Sequence, residues 1–504
     1  MPRSDDSLRL LALFALASCA ADPPPSPAAP REVLATAPRV AAEWEPALGA
    51  LVGWPPYLPK DLFVELARDA HLYVLVADAT VEADAQSWFE RWNIDPDAVT
   101  FLRVPGSDDA AWTRDYGPHA IFGADGTLRL GDARYDRSTP DSGLACDAPL
   151  LTPWNGGWGD RFRDYDVTLE DAAPRAIASV LGLPWQELPF VLTGGNFLTD
   201  GRGGALSTCI LVNENDDNGL PEDAFRSEAE RTLGIVRYAI LPNFEDSGIQ
   251  HIDCLLKLLD EERLLVARPP REHPLHARYE HIATRVLPEL RTASGRPFEI
   301  LRLDTAPYRE ERLAAYTNSL ILNDVVYVPL FDIPQDERAL AQWREALPGH
   351  EIKGFRFVLD EEPALPDRAR RMYPGRLGWR DFDALHCRTR AVWDPHMLYV
   401  SVDRIEATPA AAATYEVRAR VVPYSRQPLV RESLTVRWRR AGASDWESVP
   451  LVHEQGSVHR AWIPAGPDAD TVEYYVHAED ASGRRETAPR TAPAAVYRFR
   501  PVRD

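Results

Sequence analysis

A change of pattern near residue 395 is the feature that most constrains the fold of this chain. Before it, from residue 43 to 394, short apolar runs alternate with stretches of helical periodicity. Strands separated by helices predict an α/β or α+β domain with buried sheets, which we assign to residues 31–395. The apolar runs that predict strands are 72–77, 205–212, 264–267, 298–303 and 325–330. The stretches that predict helices are 59–70, 169–181, 221–233 and 335–346. No repeat is visible in the letters themselves.

After this point the helical stretches stop, and short segments alternate apolar and polar residues with a period of two. These segments are 397–407, 412–421, 433–439, 457–463 and 472–478. The pattern predicts an all-β sandwich of the immunoglobulin or fibronectin type over residues 396–504. The Cys–Trp–Cys spacing of true immunoglobulin domains is absent, so the predicted likeness is one of architecture. Such a module is more often a spacer or a binding unit than a catalyst.

Residues 1–30 are predicted to be an export signal followed by a tether. The apolar run 10–17 is too short to span a bilayer, which needs about 20 residues, and it fits a secretory signal. Residues 16–19 (LASC) are similar to the lipobox of bacterial lipoproteins, in which the cysteine, here Cys19, is lipidated. The Pro/Ala-rich residues 20–30 would form the tether. We therefore expect an exported cell-envelope lipoprotein, with an ordinary cleaved signal as the alternative.

The charge and the cysteines exclude several classes of protein. The 504 residues include 56 Lys and Arg against 77 Asp and Glu, a net charge of −21, which disfavours non-specific binding to nucleic acid. Five cysteines without a C-x-x-C pair predict neither a disulfide scaffold nor a Cys-rich zinc site. Cys146, Cys209 and Cys254 lie in or near apolar runs, and we expect them to be buried free thiols.

Two motifs contain residues suited to catalysis. In the segment HIDC, a strand would place His251 and Asp253 on one face and Cys254 on the other. An imidazole beside a carboxylate can act as an acid/base unit, and a His–Asp hydrogen bond in the core is an equally good interpretation. In the segment LHCRT, Cys387 stands among basic residues that would lower the pKa of its thiol, as a nucleophile requires. Most single cysteines, however, are simply small buried residues.

Three further motifs say less when each is taken alone. In WTRDYGP, Trp112 and Asp115 precede a turn at Gly-Pro, and a structural Arg–Asp pair would explain the motif equally well. In TGGNFLTDG, Gly195 stands before Asn196, and glycines permit a ligand to approach the backbone closely. In YTNS, Asn318 stands at a strand start, where asparagine is usually a turn residue.

Taken together and in order, six motifs resemble those of the guanidine-modifying pentein-fold enzymes, the superfamily of agmatine deiminases and bacterial peptidyl-arginine deiminases. The resemblance covers about residues 43–395. The motifs are E-W-E-P (43–46), W-T-R-D-Y-G-P (112–118), G-G-N-F-x-T-D-G (194–201), H-I-D (251–253), Y-T-N-S (316–319) and L-H-C-R-T (385–389). The resemblance implies an α+β fold in which five ββαβ units form a five-bladed α/β propeller, followed here by the all-β sandwich.

The resemblance also implies roles for residues of these motifs. Cys387 would be the nucleophile, His251 the general acid/base, and Asn318 a support for the geometry around the cysteine. The residues that would contact the substrate are Trp112, Asp115, Asp253, Gly195 and Asn196, with the two carboxylates holding the guanidinium. A guanidinium stays charged at any working pH, two carboxylates can bind it, and a thiolate can attack its central carbon and displace ammonia. Water then releases a ureido product, and no step needs a metal or an organic cofactor.

The whole chain resembles secreted bacterial peptidyl-arginine deiminases more than agmatine deiminases, because it combines an export signal, a catalytic domain and a C-terminal sandwich. Thr193 stands where agmatine deiminases more typically have Glu, and residues 382–384 stand where they have a Gly-rich lead-in to the cysteine. One departure concerns the two arginines that would bind a C-terminal carboxylate. Only Arg137 is present, and Thr139 stands in place of the second. The predicted substrate is arginine, free or in a peptide.

Three other functions are compatible with the residues. An agmatine deiminase would not need Arg137. A non-enzymatic surface-binding lipoprotein on a pentein scaffold would explain the tether and the C-terminal module. A cysteine protease could use Cys387 and His251, but the two extra carboxylates would then have no role. The expected partners are an arginine-containing peptide or a small guanidine, and a membrane through a lipid on Cys19.

Overall fold

The computed structural model describes residues 37–105, 111–135, 168–245, 249–357, 365–366, 378–405, 413–466 and 470–501. All of them belong to one unit, residues 33–504. The predicted signal and tether, with Cys19, lie outside the described residues, and so does Arg137. None of the helices in the described ranges is long and apolar enough to cross a membrane.

The region up to residue 393 mixes strands and helices, as the apolar pattern predicts. Its strands are β1 (Arg39–Val40), β2 (Ala47–Gly53), β3 (His71–Val76), β4 (Val99–Arg103), β5 (His119–Phe122), β6 (Leu128–Arg134), β7 (Trp185–Val191), β8 (Leu198–Thr199), β9 (Gly204–Thr208), β10 (Arg237–Leu241), β11 (Leu256–Leu258), β12 (Arg263–Arg268), β13 (Glu299–Asp304), β14 (Pro307–Arg309), β15 (Arg312–Leu313), β16 (Leu320–Leu322), β17 (Val325–Leu330), β18 (Glu351–Arg356) and β19 (Arg390–Trp393). Its helices are α1 (Lys60–Asp69), α2 (Ala79–Arg91), α3 (Thr113–Tyr116), α4 (Thr168–Asp171), α5 (Ala173–Leu181), α6 (Ile210–Asp217), α7 (Glu222–Leu233), α8 (His276–His281) and α9 (Gln335–Ala346).

Five sets of strands in this region share one pattern. In each set an antiparallel pair is followed by a parallel strand, and one or two helices separate the two parallel strands along the chain. The sets are β5-β6-β7, β8-β9-β10, β11-β12-β13, β16-β17-β18 and β19-β2-β3. Parallel neighbours need such a crossover because a short hairpin cannot join them. The repeat therefore lies in the strand pairing, although the letters do not show it.

One of the five sets is built from both ends of the region. β19 is the last strand, yet it pairs antiparallel with β2 near the start, with Arg390 opposite Leu51. β2 then pairs in parallel with β3. This pairing ties the segment that carries the last motif to the first sheet of the fold.

The apolar run 205–212 is not the single strand that was predicted. β9 ends at Thr208, and α6 begins at Ile210. Residues 210–215 are all buried, so this segment lacks the one-sided pattern that distinguishes a helix. A fully buried run cannot be assigned to strand or helix from its periodicity alone. The predicted helix 169–181 is divided at Ala172 into α4 and α5, and the other predicted strands and helices of this region are present, with ends that differ by about one residue.

The region after residue 396 is built of strands, as predicted from its period of two. Its strands are β20 (Leu398–Asp403), β21 (Thr414–Pro423), β22 (Thr435–Arg440), β23 (Glu447–Pro450), β24 (Val452–Gln455), β25 (Val458–Pro464), β26 (Val472–Glu479), β27 (Arg485–Ala488) and β28 (Tyr497–Phe499). They form two antiparallel sheets, one of order β20-β21-β25-β24 and one of order β23-β22-β26-β27 with β28 also on β26. Alternate side chains of both sheets share one apolar core, which includes Val417, Val436 and Ile463.

Arg39 connects the two regions through a buried contact. Its guanidinium binds both carboxylate oxygens of Glu45, at 2.7 and 2.8 Å, and donates to the Tyr424 hydroxyl at 2.8 Å. It also lies 3.9 Å from the centroid of the Tyr399 ring. A buried cation of this kind depends on its carboxylate partner, and removal of one partner leaves an uncompensated charge.

Replacing Arg39 with Met is therefore expected to lower the free energy of unfolding by about 3–5 kcal/mol, because Glu45 stays buried without a counter-charge. The double variant R39M/E45M should recover much of this loss. Arg231→Met is the matched control, since it removes an exposed pair with Glu228 and should cost less than about 1 kcal/mol. Urea denaturation followed by circular dichroism measures the three values. Equal losses for the two single arginine variants would contradict the assignment.

Candidate active site

The motif residues lie in short turns that occupy the same place in successive strand sets. α3 precedes β5, and three 3₁₀ turns, Gly194–Asn196, Ile252–Cys254 and His386–Arg388, precede β8, β11 and β19. Asn318 lies just before β16. Because each turn enters the first strand of its set, the side chains that the turns carry meet at one point, although they are far apart in the chain.

Cys387 is buried and is held by Asn318. The Asn318 Nδ2 group donates to Cys387 Sγ at 3.2 Å. Asn318 Oδ1 accepts from the backbone N–H of His386 at 2.9 Å. Cys387 Sγ also lies 3.8 Å from Asp253 Oδ2. One amide side chain therefore fixes both the backbone and the sulfur of the segment that carries the thiol.

The basic neighbour of Cys387 does not lower the pKa of the thiol, contrary to the prediction. Arg388 is fully buried, and its guanidinium binds both carboxylate oxygens of Asp383 at 2.8 and 2.9 Å. The guanidinium also lies over the Tyr57 ring, 4.0 Å from its centroid. Its charge is therefore paired with Asp383 and the ring rather than with the Cys387 thiol. A hydrogen bond with Cys254 lowers the pKa of the Cys387 thiol, but burial and nearby carboxylates, Asp253 first, outweigh this effect and raise it to about 11.

Cys254 lies beside the nucleophile candidate, which the predicted strand would not allow. The segment forms a 3₁₀ turn, in which residues three apart lie on the same side, so His251 and Cys254 face the same region. Cys254 Sγ lies 3.5 Å from Asn318 Nδ2 and donates to Asp253 Oδ1 at 3.6 Å. Cys254 is a buried free thiol, as expected. The same expectation for Cys209 is wrong, because Cys209 is disulfide-bonded, and Cys146 lies outside the described residues.

Gly195 is the point on which the two carboxylates and the histidine converge. A methyl group added there would lie 2.6 Å from Asp115 Oδ1, 2.8 Å from His251 Nδ1 and 3.3 Å from Asp253 Oδ2. The backbone N–H of Gly195 donates to Asp115 Oδ1 at 3.0 Å. Only a residue without a side chain lets these three groups come so close to the backbone, and we call the point where they converge the space at Gly195. Two buried carboxylates that converge on one point are the partners that a small planar cation needs.

His251 stands in this space as a neutral imidazole at physiological pH. Burial lowers its pKa to about 4, against the opposing effect of the Asp253 and Asp383 carboxylates. Its Nδ1 atom lies 3.7 Å from Asp115 Oδ1 and has no hydrogen-bond partner among the described residues. A neutral ring with a free nitrogen can accept a proton during a reaction.

Glu43 lies behind this space, at the centre of a buried charge network. Its Oε2 atom lies 2.6 Å from His386 Nε2 and 3.4 Å from Arg114 Nη2. Its Oε1 atom lies 2.6 Å from Lys257 Nζ and accepts from the backbone N–H of Ile321 at 2.9 Å. Sequence reasoning assigned no role to Glu43, His386 or Lys257. A lysine inside the apolar run 255–259 was the available signal, since lysine is almost never fully buried without a partner.

Arg390 and Asn196 hold the turns in place. Arg390 donates to the backbone carbonyl oxygens of Arg114 at 2.5 Å and Pro118 at 2.8 Å. Asn196 Oδ1 accepts from the backbone N–H groups of Thr208 at 2.9 Å and Ile252 at 3.2 Å. Asn196, predicted to contact substrate, thus contacts the segment that carries His251.

Trp112 is half-buried at the start of α3, and its ring packs edge-on against that of Tyr57 at 5.9 Å. Arg137 lies outside the described residues, so the structure does not place it. The described residues contain no group of three or more side chains that could hold a metal ion.

Known proteins resemble this chain over the region that holds the site. Residues 39–358 match the family described as Porphyromonas-type peptidyl-arginine deiminase. The agmatine deiminase of Pseudomonas putida is 27% identical, over 62% of this chain and 88% of that protein. The fold is shared with a candidate arginine deiminase from Porphyromonas gingivalis (21% identity, 71% of this chain and 99% of that chain, TM-score 0.52). It is shared equally with the agmatine deiminase of Enterococcus faecalis (19% identity, 71% and 96%, TM-score 0.53).

The family match spans more than half of the chain and includes the turns that carry Asp115, Gly195, His251, Asp253 and Asn318. It ends before Cys387, which the geometry nevertheless brings to the same site. On these grounds the chain belongs to the Porphyromonas-type peptidyl-arginine deiminase family, within the pentein superfamily of guanidine-modifying enzymes.

Proposed function

We propose that this protein converts arginine, free or in a peptide, to citrulline and ammonia through a covalent intermediate on Cys387. The family and its relatives indicate a guanidine deiminase, an enzyme that hydrolyses a C–N bond of a guanidino group. One observation carries the finer proposal. The carboxylates of Asp115 and Asp253 and the imidazole of His251 converge on Gly195, and Cys387 Sγ lies beside Asp253.

The two carboxylates would bind the guanidinium and the substrate charge would activate the thiol. A guanidinium needs anionic partners when it leaves water, and Asp115 and Asp253 supply them. In the free enzyme the same carboxylates help to raise the pKa of the Cys387 thiol to about 11. A bound cation cancels their effect on the thiol, so the thiolate forms when substrate is present.

The reaction then needs one group that moves protons, and His251 fits this role. It accepts the proton of the Cys387 thiol, and the thiolate attacks the central guanidinium carbon. His251 returns the proton to the departing nitrogen, ammonia leaves, and an S-alkylthiouronium remains on Cys387. His251 next accepts a proton from water, and the resulting hydroxide attacks the thiouronium carbon. The C–S bond breaks with its electron pair on Cys387 Sγ, the hydroxyl proton passes to ammonia or solvent as the ureido C=O forms, and His251 returns its proton to the thiolate. Asn318 would keep the sulfur in line throughout, through its 3.2 Å contact.

Agmatine is the second candidate substrate, because the Pseudomonas putida relative is an agmatine deiminase. Agmatine carries the same guanidinium and lacks the carboxylate of arginine. We assign Trp112 to the channel that leads to the guanidinium and Arg137 to the arginine carboxylate. Arginine is preferred here because the family match is to peptidyl-arginine deiminases.

We further infer that the five strand sets are blades arranged around the site, as a five-bladed propeller. The support is that the site turns precede the first strands of their sets, and that β19 closes the series on β2. The domains would be a signal and tether (1–30), the deiminase domain (31–395) and an Ig-like sandwich (396–504). The last assignment is supported by two antiparallel sheets around one core.

The proposed reaction is tested by the release of citrulline, or of the corresponding ureido product, and ammonia. The substrates are free arginine, agmatine, and peptides with an internal or a C-terminal arginine. Release from arginine or peptides is expected, whereas release from agmatine alone would select the second candidate. Cys387→Ala should release no product with any of them, because the covalent step is lost. Cys254→Ala is the matched control, since Cys254 contacts the same Asn318 and has no covalent role; it should still release product, although more slowly because the hydrogen bond that lowers the pKa of Cys387 is lost. A folded Cys387→Ala enzyme that remains active would disprove the role of this thiol.

The state of the thiol before substrate binds can be measured by alkylation. Chloroacetamide is neutral, and its reaction with Cys387 should accelerate by about tenfold per pH unit between pH 7 and 9, because only the thiolate reacts and the pKa lies near 11. Chloroacetamidine is cationic, and at pH 7 it should react faster because it occupies the carboxylate site. Peptide mass mapping separates Cys387 from Cys254. A chloroacetamide rate that levels off below pH 8 would mean that the thiol is already ionised.

We also propose that Cys19 carries a lipid, which would place the enzyme in the bacterial cell envelope. The motif LASC before a Pro/Ala-rich stretch supports this proposal. Growth with an alkyne-tagged fatty acid should label the full-length protein and should not label Cys19→Ser. Equal labelling of both proteins, or of neither, would contradict a lipid on this cysteine.

A further inference from the structure

His386 is a fully buried histidine whose two ring nitrogens both face carboxylates. Its Nδ1 atom lies 2.7 Å from Asp253 Oδ2, and its Nε2 atom lies 2.6 Å from Glu43 Oε2. The mechanism above gives this residue no task, although it directly precedes Cys387. Both distances are those of strong, charge-assisted hydrogen bonds.

The two contacts cannot both be hydrogen bonds if the imidazole is neutral and both carboxylates are ionised, and the pKa values of Glu43 and Asp253 are both lowered, with His386 among the causes. A neutral ring carries one N–H group, and its other nitrogen presents a lone pair. A lone pair facing a carboxylate oxygen at such a distance is repulsive, and burial without water would make this repulsion large. A ring protonated on both nitrogens satisfies both contacts. We propose that His386 is held as an imidazolium between Glu43 and Asp253, and that it is the positioning residue that orients Asp253 toward the substrate guanidinium.

The surrounding charges act on this proton in opposite directions. Burial above all, together with Arg114 and Lys257, lowers the pKa of His386 below its ordinary value, against Glu43 and the hydrogen bond to Asp253, which raise it. Both cations approach from the Glu43 side, where Lys257 Nζ lies 2.6 Å from Oε1 and Arg114 Nη2 lies 3.4 Å from Oε2. Arg114 and Lys257 offset the charge of Glu43, and His386 itself offsets the charge of Asp253. Each of the two short contacts nevertheless requires an N–H on the ring. On this geometric ground we give the carboxylates greater weight than the burial and the cations.

The consequence for the site is geometric. Asp253 Oδ2 points toward the space at Gly195 and also contacts Cys387 Sγ at 3.8 Å. Its orientation is set by the ring of His386, which is itself anchored by Glu43 at the opposite nitrogen. His386 thus links Glu43 to Asp253, the carboxylate that we assign to substrate binding, and fixes the orientation of Asp253 relative to Glu43. This inference rests on the proposed function for its kinetic part only.

The protonation state is measured first, because it does not depend on turnover. In protein labelled with ¹⁵N-histidine, long-range ¹H–¹⁵N spectra at pH 7.5 should show one histidine with both nitrogens protonated, and this signal should be absent from His386→Gln. His459 is the internal control, since it is buried, its Nδ1 atom lies 3.1 Å from the Ser457 carbonyl oxygen, its ring packs edge-on against that of His453, and it should carry one N–H. If His386→Gln does not fold, Glu43→Gln assigns the signal by shifting its Nε2 resonance. A His386 ring with a single N–H would overturn the proposal.

Kinetics then tests whether His386 acts through Asp253. In His386→Gln, which can supply only one of the two hydrogen bonds, kcat/KM should fall by roughly ten- to hundred-fold, mainly through KM, as for other residues that orient a binding group. Asp253→Asn should show the same split, and H386Q/D253N should be little worse than Asp253→Asn alone. Additive losses, or a loss confined to kcat, would refute the positioning role. If the unaltered enzyme turns over no guanidine, the proposed function fails, while the spectra still decide the state of the ring.

Discussion

The burial of a single carboxylate, that of Glu43, is the constraint on which the geometry of the site depends. Its two oxygens meet His386, Lys257, Arg114 and the backbone of Ile321, which belong to four separate segments of the chain. A carboxylate removed from water is stable only when such partners surround it. The need of the Glu43 carboxylate for these partners therefore fixes the positions of the segments that supply them. It holds four segments of the chain together, and the side chains that we propose as catalytic lie on or next to these segments.

The proposed reactive residues of the site were predictable from the sequence, but the buried network of Glu43, His386 and Lys257 behind them was not. Motif order brought Cys387, His251, Asp115 and Asp253 into one hypothesis, and the structure brings them into one place. Periodicity also located most strands and helices. It failed at Cys254, because a three-residue turn has no period to detect. It also failed for the buried helix α6.

The fivefold repeat of strand sets escaped the sequence for a different reason. Strand pairing is a relation between backbones, and very different side chains can satisfy it. One set is moreover assembled from β19, β2 and β3, so no continuous stretch of chain contains it. A search of the sequence for internal repeats therefore cannot find this set, because its strands become neighbours only after folding.

The pairing of β19 with β2 has a consequence for the synthesis and folding of the chain. Almost the whole deiminase region must be synthesised before the strand that follows Cys387 can find its partner. Contacts between such distant residues form late, because closing the loop costs entropy that local contacts do not. A nascent or truncated polypeptide that lacks β19 therefore contains the carboxylates and the imidazole of the site, but Cys387 is not yet held beside them. Such a polypeptide lacks the thiol that we assign to the reaction, so the order of folding would itself delay deimination until β19 has been synthesised and paired.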